Sequence, residues 1–149
     1  MVKYTSIRVL LALSCLLGLE LEQIDVKTAF LHRELEETIY MSQPEGSIKK
    51  GDENKVCLLK KSLYGLKHLP RQWYKRFDSF MLSNSFKRSN YDCYVYMKDV
   101  KNVKDEKVVH KIYLLLYVDD MLIASKDMKA ISDLKRLLGK EFDMKDLGK

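Results

Sequence analysis

Glycine, proline and cysteine are scarce in this chain, and each scarcity excludes something. Six glycines and two prolines in 149 residues argue against a collagen-like, proline-rich or low-complexity architecture. The three cysteines, Cys15, Cys57 and Cys93, form no CxxC or other close pair. An odd, scattered set in apolar or aromatic surroundings fits neither a disulfide framework nor a zinc site. They are expected to be reduced and buried, in an intracellular protein. A membrane-length apolar run is also missing. The longest, Val9–Leu19, is interrupted by Ser14 and Gly18 and bounded by Arg8 and Glu20, too short to span a bilayer. Lys3 and Arg8 ahead of it give the outline of a signal peptide, but no small-x-small cleavage site follows and the run leads straight into LELEQIDV. A core helix is the better reading.

What is present suits one soluble globular domain with one sizeable core: 46% hydrophobic and 32% charged residues, with no internal repeat. The net charge of +6, from 27 Lys and Arg against 21 Asp and Glu, fits a polyanionic partner. It fits a lysine-rich solvated surface equally well, so charge alone does not choose.

Along the chain, Ser6 is expected to cap a helix over roughly Ile7–Leu17. Val9, Leu10, Leu13, Leu16 and Leu17 would make its wide apolar face, and Gly18 would stop it. Leu19–Val26 alternates with period two, a strand pattern with Asp25 as the odd polar residue near its end. One or two helical turns at Ala29–Glu37, a short strand at Ile39–Met41, a projecting loop at Gln43–Lys55 and a short strand at Val56–Leu59 follow. Gly65 and Pro70 break the chain before a helix from about Pro70 to Asn84. On that helix Trp73, Phe77, Phe80 and Met81 form the core stripe. Tyr94–Lys98 pairs with Val109–Tyr117 across a charged turn, Asp99–Lys107, and a last helix covers about Met128–Phe142. After it, MKDLGK is read as an abrupt end with no further element. The fold class is α+β, a mainly antiparallel sheet with helices packed on one face.

The most unusual stretch is IYLLLYVDDMLIAS, Ile112–Ser125, where two apolar runs flank Asp119 and Asp120. Read as a hairpin, the acid pair lies at or beside the turn. Two-residue hairpin turns favour Asn-Gly or Asp-Gly, because φ > 0 must be tolerated, and this one has no glycine. Buried-side carboxylates are costly without cationic compensation. If the Asp25 strand neighbours this hairpin, three carboxylates meet at one edge of the sheet, hard oxygen ligands of the kind that suit Mg²⁺. Successive strand residues face opposite ways, so Asp119 is expected to point into the site with Asp25 and Asp120 to be more peripheral. On the residues alone, a metal site and a chance acid pair on a surface turn both remain open.

Four motifs in order resemble the reverse transcriptases of copia-type LTR retrotransposon Pol polyproteins. YVDD at Tyr117–Asp120 resembles their metal-binding motif. QIDVKTAFLH at Gln23–His32 resembles their first aspartate motif, with an aromatic residue five positions after the aspartate. SLYGLKHLPRQWY at Ser62–Tyr74, LEETIYMSQPEG at Leu35–Gly46 and the terminal MKDLG follow the same pattern. The resemblance covers nearly the whole chain. It implies a polymerase palm-like sheet with part of the fingers over residues 1–149. Fingers strands would precede Met1, and the thumb, connection and RNase H would follow Lys149. It implies RNA-directed DNA polymerase activity by two-metal nucleotidyl transfer, with Mg²⁺ as cofactor and Mn²⁺ as its substitute. The implied partners are RNA or DNA primer-template, dNTPs and the rest of the Pol polyprotein, with no membrane. The family also implies a cytoplasmic virus-like particle or the nucleus.

By that resemblance Asp25, Asp119 and Asp120 are the catalytic and metal-binding aspartates. Phe30 is the aromatic beneath the incoming sugar, a position equally suited to a buried core Phe. Tyr64, Gly65 and Lys67 lie beside the nucleotide and template, and Tyr117 faces the primer end. Lys145 is a candidate cation for the leaving pyrophosphate, with a solvated lysine as the alternative. The chain departs from the family at His68-Leu69, where Gln-Ala is usual, and at Arg33, where Gly is usual. The competing expectation is a catalytically inactive or domesticated remnant that at most binds nucleic acid or a partner.

Overall fold

The alternating segment after Gly18 becomes a central strand, β1 (Glu20–Val26). The computed structural model describes residues 2–27, 38–60, 69–101 and 109–148. Ahead of β1 lies helix α1 (Tyr4–Leu17). A short ribbon pairs β2 (Tyr40–Met41) with β3 (Cys57–Leu58). Then come α2 (Leu69–Ser83), β4 (Lys87–Arg88), β5 (Val95–Lys101), β6 (Val109–Tyr117), β7 (Asp120–Ser125), α3 (Met128–Glu141) and β8 (Met144–Gly148). Among the described residues, six strands form one antiparallel sheet in the order β4-β5-β6-β7-β1-β8. The mixed α+β architecture with an antiparallel sheet is therefore as the sequence led us to expect.

Period two sorts the strands onto two faces. Ile24, Val26, Leu114, Leu116, Met121 and Ile123 pack against α2 and α3. Those helices present Trp73, Phe77 and Met81, and Ile131, Leu134 and Leu138, at helical spacing. The predicted aromatic stripe is thus core, with Phe80 at its margin, 5.2 Å from the ring of Phe142. Fully burying a side chain such as Phe77 contributes roughly 1.5–3 kcal/mol relative to exposure. The opposite face carries Leu115 and Ala124, and α1 rests there through Leu10. Two helices share one face, and the third lies across the other.

Helix α1 differs from its sequence reading at both its start and its surface. It begins at Tyr4, and Ser6 is not its cap. The Ser6 hydroxyl donates instead to Asp92 Oδ2 at 2.6 Å, and the Lys3 N–H donates to the same oxygen at 2.9 Å. A carboxylate 86 residues on from Ser6 in the chain thus holds the N-cap N–H and the Ser6 hydroxyl, and puts a negative charge beside the helix start. Gly18 ends the helix as expected, at φ 61° with its N–H donating to Ser14 O. Only Leu10 of the five expected apolar positions is buried. Val9, Leu16 and Leu17 stand 57%, 81% and 45% exposed, because the helix touches the sheet along a narrow line.

The cysteines also depart from expectation. Cys15 and Cys93 are exposed and Cys57 is half-buried, and none is in a disulfide. Cys15 sits on the outer side of α1, beside exposed Leu16, and Cys93 lies in the turn before β5.

The C-terminal MKDLG is a strand. Residues Met144–Gly148 pair with β1, placing β1 between β7 and β8. Its burial hardly alternates, so the period-two signal was absent, and the backbone ladder to β1 holds it. Lys135 of α3 adds an anchor, donating to both Glu22 of β1 and Asp146 of β8. The Ala29–Glu37 helix and the greater part of the Asp99–Lys107 turn fall outside the described residues.

Candidate active site

Strand pairing decides which polar side chains meet. In the β1–β7 ladder Asp25 lies opposite Asp120, in the β6–β7 ladder Tyr117 lies opposite Asp120, and in the β1–β8 ladder Asp25 lies opposite Lys145. Directly opposed residues of an antiparallel pair share a face. Tyr117, Asp120, Asp25 and Lys145 therefore form one row across four strands. Their neighbours Leu116, Met121, Ile24 and Val26 point the other way into the core. The row lies on the same face as α1, which packs around Leu115 and Ala124 farther along the strands.

The β6–β7 connection is the two-residue turn Val118–Asp119. Val118 adopts φ 60°, and Asp119 does not take positive φ. That is the pattern of a type II′ turn, whose first central position is ordinarily glycine. A β-branched residue there is strained. The turn is held from two sides. The Val26 N–H donates to Asp119 O at 3.1 Å. The Trp73 Nε1–H, from α2, donates to Val118 O at 2.7 Å.

Asp119 belongs to the turn, not to either strand, so the rule of alternating faces does not govern it. Its carboxyl is pushed above the ordinary carboxylate range, first by burial and then by the negative charges of Asp25 and Asp120. Asp25 and Asp120, in register with each other, both lie close enough to act on Asp119. Asp120 is not at the periphery: it is the residue in register with Asp25, and its Oδ1 accepts from Gln23 Nε2 at 3.2 Å. Tyr117 is half-buried at the end of β6. Phe30, Tyr64, Gly65 and Lys67 lie outside the described residues, as do Arg33 and His68. Lys145 is exposed.

Asp25, Asp119 and Asp120 bring hard carboxylate oxygens to one end of the sheet. Among the described residues, no group of three or more His, Cys, Asp or Glu side chains is arranged as a ready cage. Mg²⁺ ordinarily takes only one or two carboxylates and completes its shell with water and substrate phosphates, so the set fits that ion.

Two residues here were not singled out from the sequence as parts of the site. Gln23 had a signal, since it lies two positions before Asp25 and so shares its face in a strand. Trp73 had none beyond its place in an apolar stripe.

The antiparallel sheet, with α2 and α3 on one face and aspartates at one end of β1 and β7, is consistent with part of a reverse transcriptase domain. The family described as "Reverse transcriptase (RNA-dependent DNA polymerase)" matches residues 1–149. The chain is 56% identical over 147 residues to the retrovirus-related Pol polyprotein from transposon TNT 1-94 of Nicotiana tabacum, covering 99% of this chain and 11% of that polyprotein. It is 37% identical over 145 residues to the retrovirus-related Pol polyprotein from transposon RE1 of Arabidopsis thaliana, covering 97% of this chain and 9% of that one. For transposon RE2 of the same plant, identity is 34% over 145 residues, covering 97% and 10%. The chain thus spans about a tenth of the length of these relatives. No solved structure matches it. The chain belongs to the reverse transcriptase (RNA-dependent DNA polymerase) family, in the form carried by copia-type retrotransposon Pol polyproteins.

Proposed function

We propose that this chain carries the metal-binding centre of an RNA-directed DNA polymerase that extends a primer with deoxynucleotides. The observation that carries the reading is the register of Asp25 with Asp120, with Asp119 in the adjoining turn. Asp25 and Asp119 are the principal cation ligands and Asp120, which accepts from Gln23 Nε2, assists. When bound, a pair of Mg²⁺ ions supplies activation of a 3′-hydroxyl and neutralisation of the leaving pyrophosphate. The chain's own residues orient and charge the site. Three carboxylates raise the local negative potential that draws a divalent ion in; burial first, and then the charges of Asp25 and Asp120, hold the Asp119 carboxyl above its ordinary range. Tyr117, in line with Asp120, offers a ring at the edge of the row to a primer terminus. Lys145, in line with Asp25, places a cation on the far side, toward a departing polyanion. The net charge of +6 supports a primer-template partner. The relatives' names support a larger Pol polyprotein as the setting in which the chain works.

Primer extension in Mg²⁺ tests this. Templated dNTP incorporation is expected to be Mg²⁺-dependent and to fall by about 10²–10³-fold in Asp119→Asn, the scale on which loss of a key electrostatic group acts. Incorporation that survives the change overturns the site. Primer-template affinity is expected to drop steeply with added salt. A salt-independent affinity would remove the phosphate contacts from the account. Salt-dependent binding without incorporation, in the intact polyprotein as well, would favour a nucleic-acid-binding remnant.

A further inference from the structure

The chain has one tryptophan, and it does more than fill the core. Trp73 is 6% exposed and packs against Phe77 and Phe142, at ring separations of 5.5 and 5.1 Å. Packing alone would be served by any large apolar side chain. The indole N–H, however, is aimed out of the core at Val118 O, 2.7 Å away. Val118 is the residue of the turn with the unfavourable backbone, a β-branched side chain at φ 60°. Its relaxation would rotate the peptide that leads into Asp119. On the other side of the turn, the Val26 N–H fixes the Asp119 carbonyl. The two hydrogen bonds tie one turn to helix α2 and to strand β1, the strand that carries Asp25.

We infer that Trp73 is a positioning residue: its indole N–H clamps the strained Val118 carbonyl and so fixes where Asp119 stands relative to Asp25. The clamp rests on the reading of the aspartates as a metal site. It touches neither metal nor substrate. It acts from the back of the sheet, by holding a conformation that valine would otherwise leave. A glycine at 118 would take φ 60° without strain, and would need no clamp.

That last point provides the test. Mn²⁺ binding to the chain is followed by electron paramagnetic resonance for the wild type, Trp73→Phe, Val118→Gly, the double variant and Asp119→Asn. Circular dichroism and urea midpoints control for folding. Trp73→Phe keeps the ring packing and removes the donor. It is expected to weaken Mn²⁺ binding about tenfold, the equivalent of one hydrogen bond's net worth. In the Val118→Gly background the same change is expected to cost less than about twofold. A merely structural tryptophan would lower the urea midpoint equally in both backgrounds and leave Mn²⁺ affinity alone, and that result overturns the clamp. An equal loss of affinity in both backgrounds overturns it too. If Asp119→Asn abolishes binding while Trp73→Phe leaves it untouched, the metal site stands and the clamp falls. If the wild type binds no Mn²⁺, the metal site falls and the clamp with it. The single indole proton gives a second readout that needs no variant. It is expected to exchange with solvent far more slowly than free indole in the folded chain, and exchange at the free rate overturns the hydrogen bond.

Discussion

Asp119 pays for its position in stability, and the sign can be worked out. Its carboxyl is raised above 3.8 by burial and by Asp25 and Asp120, so the fold disfavours its charged form. Stability contributed at this group is therefore greatest below pH 3.8 and falls as pH rises through the raised value. An asparagine there escapes the repulsion. Asp119→Asn is expected to raise the melting temperature at pH 7. The gain should disappear near pH 3. Thermal melts at the two pH values check it, and an unchanged or lower melting temperature at pH 7 would contradict it. Such a gain in stability alongside lost activity is the usual signature of a functional cluster. At this scale the aspartates were legible in the sequence, because paired carboxylates amid apolar runs are chemically out of place. The Trp73 contact was not, because a hydrogen bond from a core stripe to a turn 45 residues later leaves no local pattern.

Among the elements, the hairpin and the two back helices were readable because period two and period 3.6 are strong there. Helix α1 was readable in its extent and its Gly18 stop but not in its start or its exposed face, and strand β8 was not readable, because what positions them is remote. The start of α1 is held by Asp92. Burial raises that carboxyl, and hydrogen bonds from Ser6, the Lys3 N–H and the Tyr94 N–H outweigh burial, leaving it below the ordinary range. A lowered carboxylate contributes stability that is present above pH 3.8 and lost as pH falls through its folded value. Asp92→Ala is expected to cost about 1–2 kcal/mol, the range for a lost cap. Hydrogen exchange should show faster amides at Ser6 and Ile7 and little change in α3; uniform acceleration would point to global loosening instead. Strand β8 depends on Lys135. Burial lowers the Lys135 ammonium, but Asp146 and Glu22 outweigh it and raise it above 10.5. That stabilisation is present below pH 10.5 and lost as pH rises through the raised value. Lys135→Met strands Glu22, which is only 8% exposed, and is expected to cost about 3 kcal/mol. Urea unfolding reads this directly, and a cost within about 0.5 kcal/mol of zero would mean that Glu22 finds another partner.

Across the whole molecule, the sheet order does what no single motif does. Inserting β1 between β7 and β8 sets Asp25 beside Asp120 on one side and Lys145 on the other. The sequence offered the aspartates and made their meeting conditional on two strands, far apart in the chain, being neighbours. Pairing across that distance is a property of the packed sheet, and the apolar faces of Ile24, Val26, Met121 and Ile123 enforce it by burying on α2 and α3. A one-residue slip of β1 would turn Asp25 into the core and Ile24 out of it. The central claim is that this pairing makes Asp25, Asp119 and Asp120 one cation site. Calorimetric titration of Mg²⁺ into the wild type and Asp25→Asn tests it most directly. The account predicts measurable binding by the wild type and its loss in Asp25→Asn, although Asp119 and Asp120 are untouched. Binding of equal affinity in the two proteins would contradict it.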